Sequence, residues 1–528
     1  MRAIPRVAAL LAGAALAGMA LPASGAQAAE LRPAERAGKK VYLEGESPSG
    51  GEITARIGRD ASALPGSVAA CGSCHGADGL GRPEGGALPT EVTWSALSKP
   101  YGHAHPNGRK HPAYDARNLA RTIREGVDPA GNSLDPVMPR YSMSDADMAS
   151  LLAYIKVVEH DLDPGIGKGS VRIGTALPTK GKLADVGSGM RKLLAARIAE
   201  LNRGGGVNGR KLELTVAGYD SDAGSGLDAV KRLAGKDRVF ALVSGFFPAA
   251  EGEVAAYAES EKIPLVGPFT LFARQPESVN PWVFYLMGGL REQARVLAAY
   301  ASRDLGIEPA LVAIVHPKDE RAADAAAAAR AQLGPKGSQA DVVGYSGALP
   351  DAALVARLRD RGVRAVLFLG SDAELAAFAR EADAAGFAPY LLGSGTLAAR
   401  AATRAPASFQ GRLLLAYPSI PSDESPAAAA ELARLRSQAK ITDRNRASQV
   451  AAFVAFDVLV EGMRRAGRNL SRERLVAALE GLYDFEPGLL RPLRFGPNRR
   501  VGTLGGYVVA VDVEKGSFST VGGWRALE

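Results

Sequence analysis

The feature that most constrains this chain is the run from Cys71 to His75, CGSCH, which holds both of its cysteines. Two thiols separated by two residues reach the two vinyl groups of one porphyrin, and the following histidine offers an imidazole to the iron. A redox pair or a small structural disulfide is the alternative for this spacing. A redox pair lies near a βαβ pattern and does not need His75, whereas the surroundings here are rich in glycine. The run therefore predicts one covalently attached haem, held by Cys71 and Cys74.

A second iron ligand is expected downstream of His75. Met138 lies between two prolines, in the run PVMPR, where an extended, stiffened loop holds a thioether in place. Met143 is the nearby alternative, but it stands immediately before a helix cap and suits a core position. We expect His75 and Met138 to fill both axial positions, which argues against peroxidase or oxygenase chemistry at the iron.

Two helices flank this region. The first, about Pro33 to Leu43, carries Gly38, which permits close helix approach, and the second follows a capping-box pattern that begins at Ser144. An apolar face at helical spacing follows that cap: Met148, Leu151, Leu152, Ile155 and Val158.

Together the haem motif and the two helices resemble a monohaem class I cytochrome c over residues 30–160. The resemblance implies a small all-α domain, thioether bonds from Cys71 and Cys74, His75 as the proximal ligand and Met138 as the distal one. It also implies an electron carrier rather than an enzyme.

Three of the six histidines lie close together, at His103, His105 and His111. A metal site or a substitute haem ligand is one interpretation of this cluster. A polar loop that covers the haem is the interpretation we prefer, because no carboxylate or thiol stands at an obvious ligand spacing.

The N-terminus has the layout of a secretory signal. Arg2 and Arg6 precede an apolar stretch over residues 7–21, and small residues follow at 26–28. A membrane anchor is the alternative, but the apolar stretch is shorter than the roughly 20 residues that span a bilayer. We therefore expect a cleaved signal peptide at 1–29, no membrane span and a periplasmic location.

Length and charge bound the remainder of the chain. A chain of 528 residues is long enough for several domains, and its 64 basic and 56 acidic residues are interleaved without a basic run. Nucleic acid is therefore not an expected partner. A Gly-rich stretch over 161–170 reads as a flexible linker, since it precedes a strand instead of joining a strand to a helix as a phosphate loop does.

Beyond residue 170, short apolar strands alternate with amphipathic helices, which predicts parallel sheets covered on both faces. Some 360 residues follow this plan, which suits two lobes better than one core. The expected helix covers about Gly187 to Asn202. The expected strands are Val171–Ala176, Lys211–Val216, Phe240–Val243, Ile263–Val266, Leu311–Val315, Ala365–Leu369 and Tyr390–Leu392.

This part, 171–528, resembles a type I periplasmic solute-binding protein of the branched-chain amino-acid (leucine-binding-protein-like) class. The matching runs are GSGM at 187–190, GGGVNGRK at 204–211, IPLVGP at 263–268, AGF at 385–387 and AF at 452–453. The resemblance implies two α/β lobes joined by three crossovers, with a solute between them and a membrane ABC permease as a possible partner. Lobe 1 is expected at about 171–288 and 418–505, and lobe 2 at about 289–417 and 506–528.

Loops at the strand ends are expected to bind the solute. Amino-acid-binding relatives use hydroxyls for the carboxylate and an acidic residue for the ammonium, and the matching loops of this chain lack that acidic residue. A buried ammonium without an anion is costly, so a small, partly apolar solute other than an amino acid is expected. The candidate contacts are Phe246, Phe247, Phe269, Thr270, Ser371, Asp372, Ser394 and Thr396, although the phenylalanines also suit lobe core.

Three functions remain open. The preferred one is an electron carrier tethered to a solute-binding module, with a periplasmic dehydrogenase or another cytochrome as redox partner. A transport receptor with an accessory haem is the alternative. A haem-linked oxidoreductase ranks last, because the large unit shows no catalytic triad, metal set or nucleotide motif.

Overall fold

The structure is a computed structural model that describes residues 31–58, 62–81, 89–221, 226–273, 280–347 and 352–527. The predicted signal peptide at 1–29 lies outside these residues. Within the described ranges, no helix has the length and apolar character needed to cross a membrane. The described chain forms one small N-terminal domain followed by two larger α/β lobes.

The N-terminal domain is a helical framework with small pieces of sheet. Helices α1 and α5 cover the two positions at which the sequence predicts helices, and the strands β2, β1 and β5 form a three-stranded sheet that the all-α expectation did not include. These strands have only two or three residues each, too few for a periodic pattern. The elements are α1 Pro33–Glu44, β1 Thr54–Arg56, β2 Leu64–Pro65, α2 Cys71–His75, α3 Trp94–Leu97, β3 His103–Ala104, β4 Lys110–His111, α4 Ala116–Glu125, β5 Arg140–Ser142 and α5 Asp145–Ile155.

Close packing of α1 against α5 holds this domain together. A Cβ at Gly38 would lie 1.9 Å from the carbonyl oxygen of Ser150, so the crossing requires glycine. One turn further on, the Tyr42 hydroxyl donates to the Gly76 carbonyl at 2.8 Å, and its ring lies 5.4 Å from that of Tyr154. The helix pair therefore supports the turn that follows α2, where the cysteine motif ends.

Lobe 1 is built on a six-stranded parallel sheet with the order β16-β10-β9-β8-β6-β7. Helices cover both faces, and α15 lies almost entirely inside the larger core cluster. The strands are β6 Ser170–Lys180, β7 Lys211–Asp220, β8 Ala241–Val243, β9 Leu265–Val266, β10 Val283–Met287 and β16 Val501–Thr503. The helices are α6 Ala184–Arg203, α7 Gly226–Gly235, α8 Glu251–Ser260, α14 Pro426–Gln438, α15 Arg446–Ala466 and α16 Arg472–Glu480.

Lobe 2 has a seven-stranded sheet with the order β12-β11-β13-β14-β15-β17-β18, in which the last two strands run antiparallel to their neighbours. The strands are β11 Val312–Pro317, β12 Asp341–Tyr345, β13 Ala365–Phe368, β14 Tyr390–Ser394, β15 Leu413–Tyr417, β17 Gly505–Asp512 and β18 Ser517–Ala526. The helices are α9 Leu290–Arg303, α10 Glu320–Gln332, α11 Ala352–Asp360, α12 Asp372–Ala384 and α13 Gly395–Ala402.

The chain passes between the lobes three times, after β10, after β15 and after β16. Two of these passages run next to each other, because β10 pairs with β16 in lobe 1 and β15 pairs with β17 in lobe 2. The two sheets take their strands from the ranges that the sequence assigned to the two lobes. The carboxyl ends of the parallel strands in both lobes therefore meet at one cleft.

The segment 161–170 is not the flexible linker that its glycines suggested. Ile166 is 5% exposed and belongs to the core of lobe 1, and Asp163 accepts a hydrogen bond from the backbone N–H of Arg472 at 2.6 Å. Gly165 has φ +84° and passes so close to lobe 1 that a Cβ would lie 2.4 Å from the Phe240 nitrogen. The glycine thus serves close packing, and the segment is part of lobe 1.

Candidate functional site

Both cysteines lie on the short helix α2, with His75 as its last residue. Both thiols are free, and burial raises the pKa of Cys71 to about 11. A thioredoxin-type pair instead needs a thiol whose pKa is lowered. Cys71 therefore lacks the lowered pKa of a thioredoxin-type attacking thiol.

The imidazole of His75 is held in one orientation. Its Nδ1 lies 2.8 Å from the carbonyl oxygen of Thr90, which only accepts, so Nδ1 carries the proton. Nε2 is left with a lone pair in the neutral ring, and burial lowers the pKa of His75, which favours that neutral form. This is the arrangement that an iron-ligating histidine requires.

A loop fixed by one arginine carries Met138. The guanidinium of Arg140 donates to the carbonyls of Met138 and Leu134, and it lies over Gly126 at the end of α4. A Cβ at Gly126 would lie 1.7 Å from the Arg140 Nε, so this stacking requires glycine. The sequence did not predict a role for Arg140 and Gly126, because an arginine two residues after a methionine is not a recognisable motif.

The two methionine candidates have different surroundings. Met143 packs against the core cluster of the N-terminal domain, whereas Met138 is half-buried and lies outside that cluster. The donor set therefore fits a haem: two free thiols for the vinyl groups, an oriented imidazole, and a thioether that the core does not use. When bound, haem c supplies one-electron transfer at its iron.

The three clustered histidines lie together on the hairpin of β3 and β4. His105 Nε2 is 2.9 Å from His111 Nε2 and 3.0 Å from the Arg109 guanidinium, which in turn pairs with Asp128 at 2.8 Å. Burial and the positive charge of Arg109 lower the pKa of His105 to about 4. His103 donates from Nε2 to the Ala96 carbonyl at 2.6 Å.

On the lobe 1 side of the cleft, the structure separates the three predicted phenylalanines. Phe246 and Phe269 are half-buried and pair at 5.1 Å between ring centroids. Phe247 is only 3% exposed and packs inside the second core cluster of the lobe. Its ring is therefore a core group and not part of a cleft wall. The Thr270 hydroxyl accepts from the Phe272 backbone N–H at 2.9 Å.

On the lobe 2 side, Ser371 and Asp372 both serve helix ends. Ser371 is the N-cap of α12 and donates to Glu374 at 2.6 Å. Asp372 accepts from the backbone N–H of Ala401 at 2.6 Å and so ties α12 to α13. Asp372 is thus occupied by the fold rather than open to a solute.

Ser394 and Thr396 meet one common partner. Ser394 is 2% exposed and donates to Gln293 Oε1 at 2.6 Å, and the exposed Thr396 hydroxyl lies 3.3 Å from Gln293 Nε2. Gln293, on the first turns of α9, was missed in the sequence because it lies about 100 residues from both partners.

An arginine bridges the cleft from lobe 2 to lobe 1. Arg321, on the first turn of α10, donates to Pro248 O at 3.1 Å and pairs with Glu251 at 3.3 Å. Its guanidinium also lies 4.3 Å from the centroid of the Phe272 ring. Burial raises the pKa of Glu251 to about 7, and Arg321 opposes that rise. No local sequence pattern predicts the pair of Arg321 and Glu251, because the two residues lie on different lobes.

These features define a class: a two-lobed solute-binding protein that carries a c-type cytochrome domain at its N-terminal end. Residues 170–517 match the periplasmic binding protein family, and residues 67–159 match cytochrome c. The chain belongs to the periplasmic binding protein family, and its cytochrome c domain implies covalently bound haem c.

Similar proteins support the same assignment of the large unit. The chain is 26% identical over 330 residues to Leu/Ile/Val-binding protein homolog 3 of Brucella melitensis, an alignment that covers 60% of this chain and 84% of that protein. An amino acid binding protein of Pseudomonas aeruginosa is 28% identical over 40% of this chain and 56% of its own length.

Solved structures show the fold of the large unit. A fatty acid ABC transporter substrate-binding protein from Thermomonospora curvata superposes with a TM-score of 0.54 at 18% identity, over 70% of this chain and 95% of its own. A branched-chain amino acid ABC transporter protein from Thermus thermophilus with bound valine gives 0.54 at 16% identity, over 68% and 97%. Both families are typically periplasmic.

Proposed function

We propose that this protein is a periplasmic electron carrier of the cytochrome c type, joined to a receptor for a small, partly apolar organic solute that is not an amino acid. The observation that carries the redox half is the orientation of His75 by the Thr90 carbonyl, at the end of the helix that bears both free thiols. His75 and Met138 are the proposed axial ligands. A carrier then exchanges single electrons with a periplasmic dehydrogenase or another cytochrome, and catalyses no reaction itself.

Occupied carboxylates support a solute without an ammonium group. Glu251 is paired with Arg321, and Glu374 accepts from the hydroxyl and the backbone N–H of Ser371. An ammonium that entered this part of the cleft would have to displace one of these contacts, and a buried ammonium without an anion is costly. The ring pair of Phe246 and Phe269 offers apolar surface instead.

A transport receptor is the second candidate function. Several of the similar proteins are named as amino-acid-binding or ABC transporter proteins, and the two-lobed architecture is common to them and this chain. In that case the bound solute would pass to an ABC permease and the haem would be accessory.

The test combines solute binding with a redox titration of the secreted holoprotein. Calorimetry with valine, leucine, short alcohols and aromatic alcohols is expected to give no tight binding with the amino acids. Binding of an uncharged member should weaken at least tenfold in Phe246→Ala, while Lys231→Ala, at an exposed position of α7, serves as the control. Tight valine binding would contradict the solute class, and turnover of a solute would contradict the carrier role.

The midpoint potential of the haem, measured with and without that solute, separates the electron carrier from the transport receptor with an accessory haem. A shifted midpoint indicates that solute binding and electron transfer are coupled. Cell fractionation, with N-terminal sequencing of the mature chain, tests the periplasmic location and the predicted cleavage near Ala28 or Ala29.

A further inference from the structure

The three histidines of the N-terminal domain lie on one face of a small antiparallel hairpin. His103 and His111 are directly opposite each other in the register of β3 and β4, and His105 follows His103 by two residues on the same strand side. The hairpin continues past β3, because the His105 N–H donates to the Arg109 carbonyl at 2.8 Å. The ring centroids are 5.0 to 5.8 Å apart.

The hydrogen bonds around this cluster leave two lone pairs facing each other. His111 Nδ1 lies 2.8 Å from the Pro112 carbonyl oxygen, which only accepts, so the proton of a neutral His111 is on Nδ1. His105 Nε2 lies 3.0 Å from a guanidinium nitrogen of Arg109, which only donates, so His105 Nε2 accepts. Both Nε2 atoms are then unprotonated, yet they are 2.9 Å apart. A proton on one of the two Nε2 atoms, or a metal ion between them, removes the conflict.

The separation of the two nitrogens suits a metal ion. Two ligands at about 2.0–2.1 Å from one ion are about 2.9 Å apart when they subtend a right angle. Right-angled imidazole ligands are typical of tetragonal Cu(II) and Ni(II) sites, and Cu(II) binds most tightly among the divalent ions of this series. We propose that His105 and His111 form a binding site for one divalent transition-metal ion of the copper class, distinct from the haem iron.

Two imidazoles supply the protein part of this site. Within the described ranges, no set of three or more His, Cys, Asp or Glu side chains converges as it stands to hold a metal ion. His103 is turned to the Ala96 carbonyl and stands beside the pair. An open surface depression of about 690 Å³ is lined by His103 and His111 among others, so solvent reaches the His111 side of the site.

Arg109 competes with the metal ion for the same nitrogen. Its guanidinium already pairs with Asp128, a carboxylate that is fully buried, so the arginine keeps a partner when the metal ion displaces its contact with His105. Removal of the arginine takes away both a competing donor and a repelling positive charge. The site therefore predicts that loss of Arg109 strengthens metal binding, which a merely structural role of the histidines would not produce.

The experiment adds Cu²⁺ to the chelator-treated ferric holoprotein. Calorimetry is expected to show one ion per chain, and paramagnetic resonance a copper signal split by two imidazole nitrogens. His105→Ala should weaken Cu²⁺ binding at least tenfold, His160→Ala should leave it unchanged, and Arg109→Gln should strengthen it severalfold. His160 is the matched control because its side chain is 76% exposed and lies outside the cluster.

Unchanged haem absorption during the titration is part of the expected result, since the ligands proposed for this ion, His105 and His111, are not those proposed for the iron. The proposal is overturned if wild type binds no Cu²⁺, if His105→Ala binds as wild type does, or if Arg109→Gln weakens binding. The nitrogen splitting is read on wild type, so a variant that fails to fold leaves the proposal testable.

Discussion

The Asp78 carboxylate of the cytochrome domain pairs with the Arg474 guanidinium of lobe 1 at 2.5 Å. Asp78 is three residues beyond His75, and Arg474 lies on the first turn of α16. On the same turn, the Arg472 N–H holds Asp163, where the chain leaves the cytochrome domain. The ion pair attaches the haem domain to this end of α16, and the hydrogen bond to Asp163 holds the start of lobe 1 at the same helix end. We infer that the haem domain is attached to lobe 1 rather than to lobe 2.

The two arginines of this helix end are predicted to differ in their effect on stability. The buried guanidinium of Arg472 donates to the carbonyls of Val239 and Phe240 at 2.8 and 2.9 Å, and it reaches two more beyond α8. Arg472→Gln leaves these carbonyls without their donor, and we expect a loss of about 3 kcal/mol in the free energy of unfolding. Chemical denaturation measures the loss.

Arg474→Gln is the matched control for this prediction. Its ion pair with Asp78 is partly exposed, so its loss should cost less than about 1 kcal/mol. Equal stability of the two variants would contradict the difference that burial predicts.

Glu251 is predicted to make stability depend on pH. Because burial raises the pKa of Glu251 from 4.5 to about 7, the folded state binds more protons than the unfolded state between these values, and stability falls as pH rises through this window. The cost reaches up to about 3 kcal/mol above pH 7. The free energy of unfolding is measured for wild type and Glu251→Gln at pH 4.5 and at pH 7.5. The difference between the two proteins should change by an amount of this order between the two pH values.

The exposed Glu253 on the same helix is the control for this window, and Glu253→Gln should follow wild type at both pH values. If the difference in unfolding free energy between wild type and Glu251→Gln does not change with pH, Glu251 titrates in its ordinary range. That result would contradict the raised pKa that burial gives Glu251 in the folded protein.

Arg140 is predicted to position Met138, the proposed distal ligand of the iron. Arg140→Gln removes the donors to the Met138 and Leu134 carbonyls, so the loop should loosen and the thioether should leave the iron in part of the molecules. The ferric absorption band that reports sulfur on iron should weaken, with full covalent haem retained. Arg121→Gln, an arginine of α4 that donates to Asp128 O instead, should keep the band. An intact band in Arg140→Gln would contradict this positioning role.

The main elements of the fold were predictable because their signals are local. Ser144 caps α5 as its spacing indicated, and Gly38 lies at the α1–α5 crossing. The strand Tyr390–Leu392 was predicted two residues short, because the small Gly393 and Ser394 that continue β14 give no apolar signal.

The predictions that were wrong concern residues whose role depends on contacts with residues far along the chain. The glycines of 161–170 suggested a flexible linker, but at Gly165 the absence of a side chain permits contact with Phe240. Phe247 and Asp372 stand in the predicted loops, yet their side chains turn into core and helix contacts. Gln293 and Arg321 are far along the chain from the cleft residues that they contact. Spacing in the sequence therefore could not indicate these contacts.

The central claim is that one covalent haem c is capped by His75 and Met138 and leaves no open iron position. Low-temperature paramagnetic resonance of the secreted ferric protein tests it most directly. We predict a low-spin signal in wild type and in Met143→Ala, and a high-spin signal in Met138→Ala. A high-spin wild type, or a Met138→Ala variant that stays low-spin while Met143→Ala does not, would contradict it.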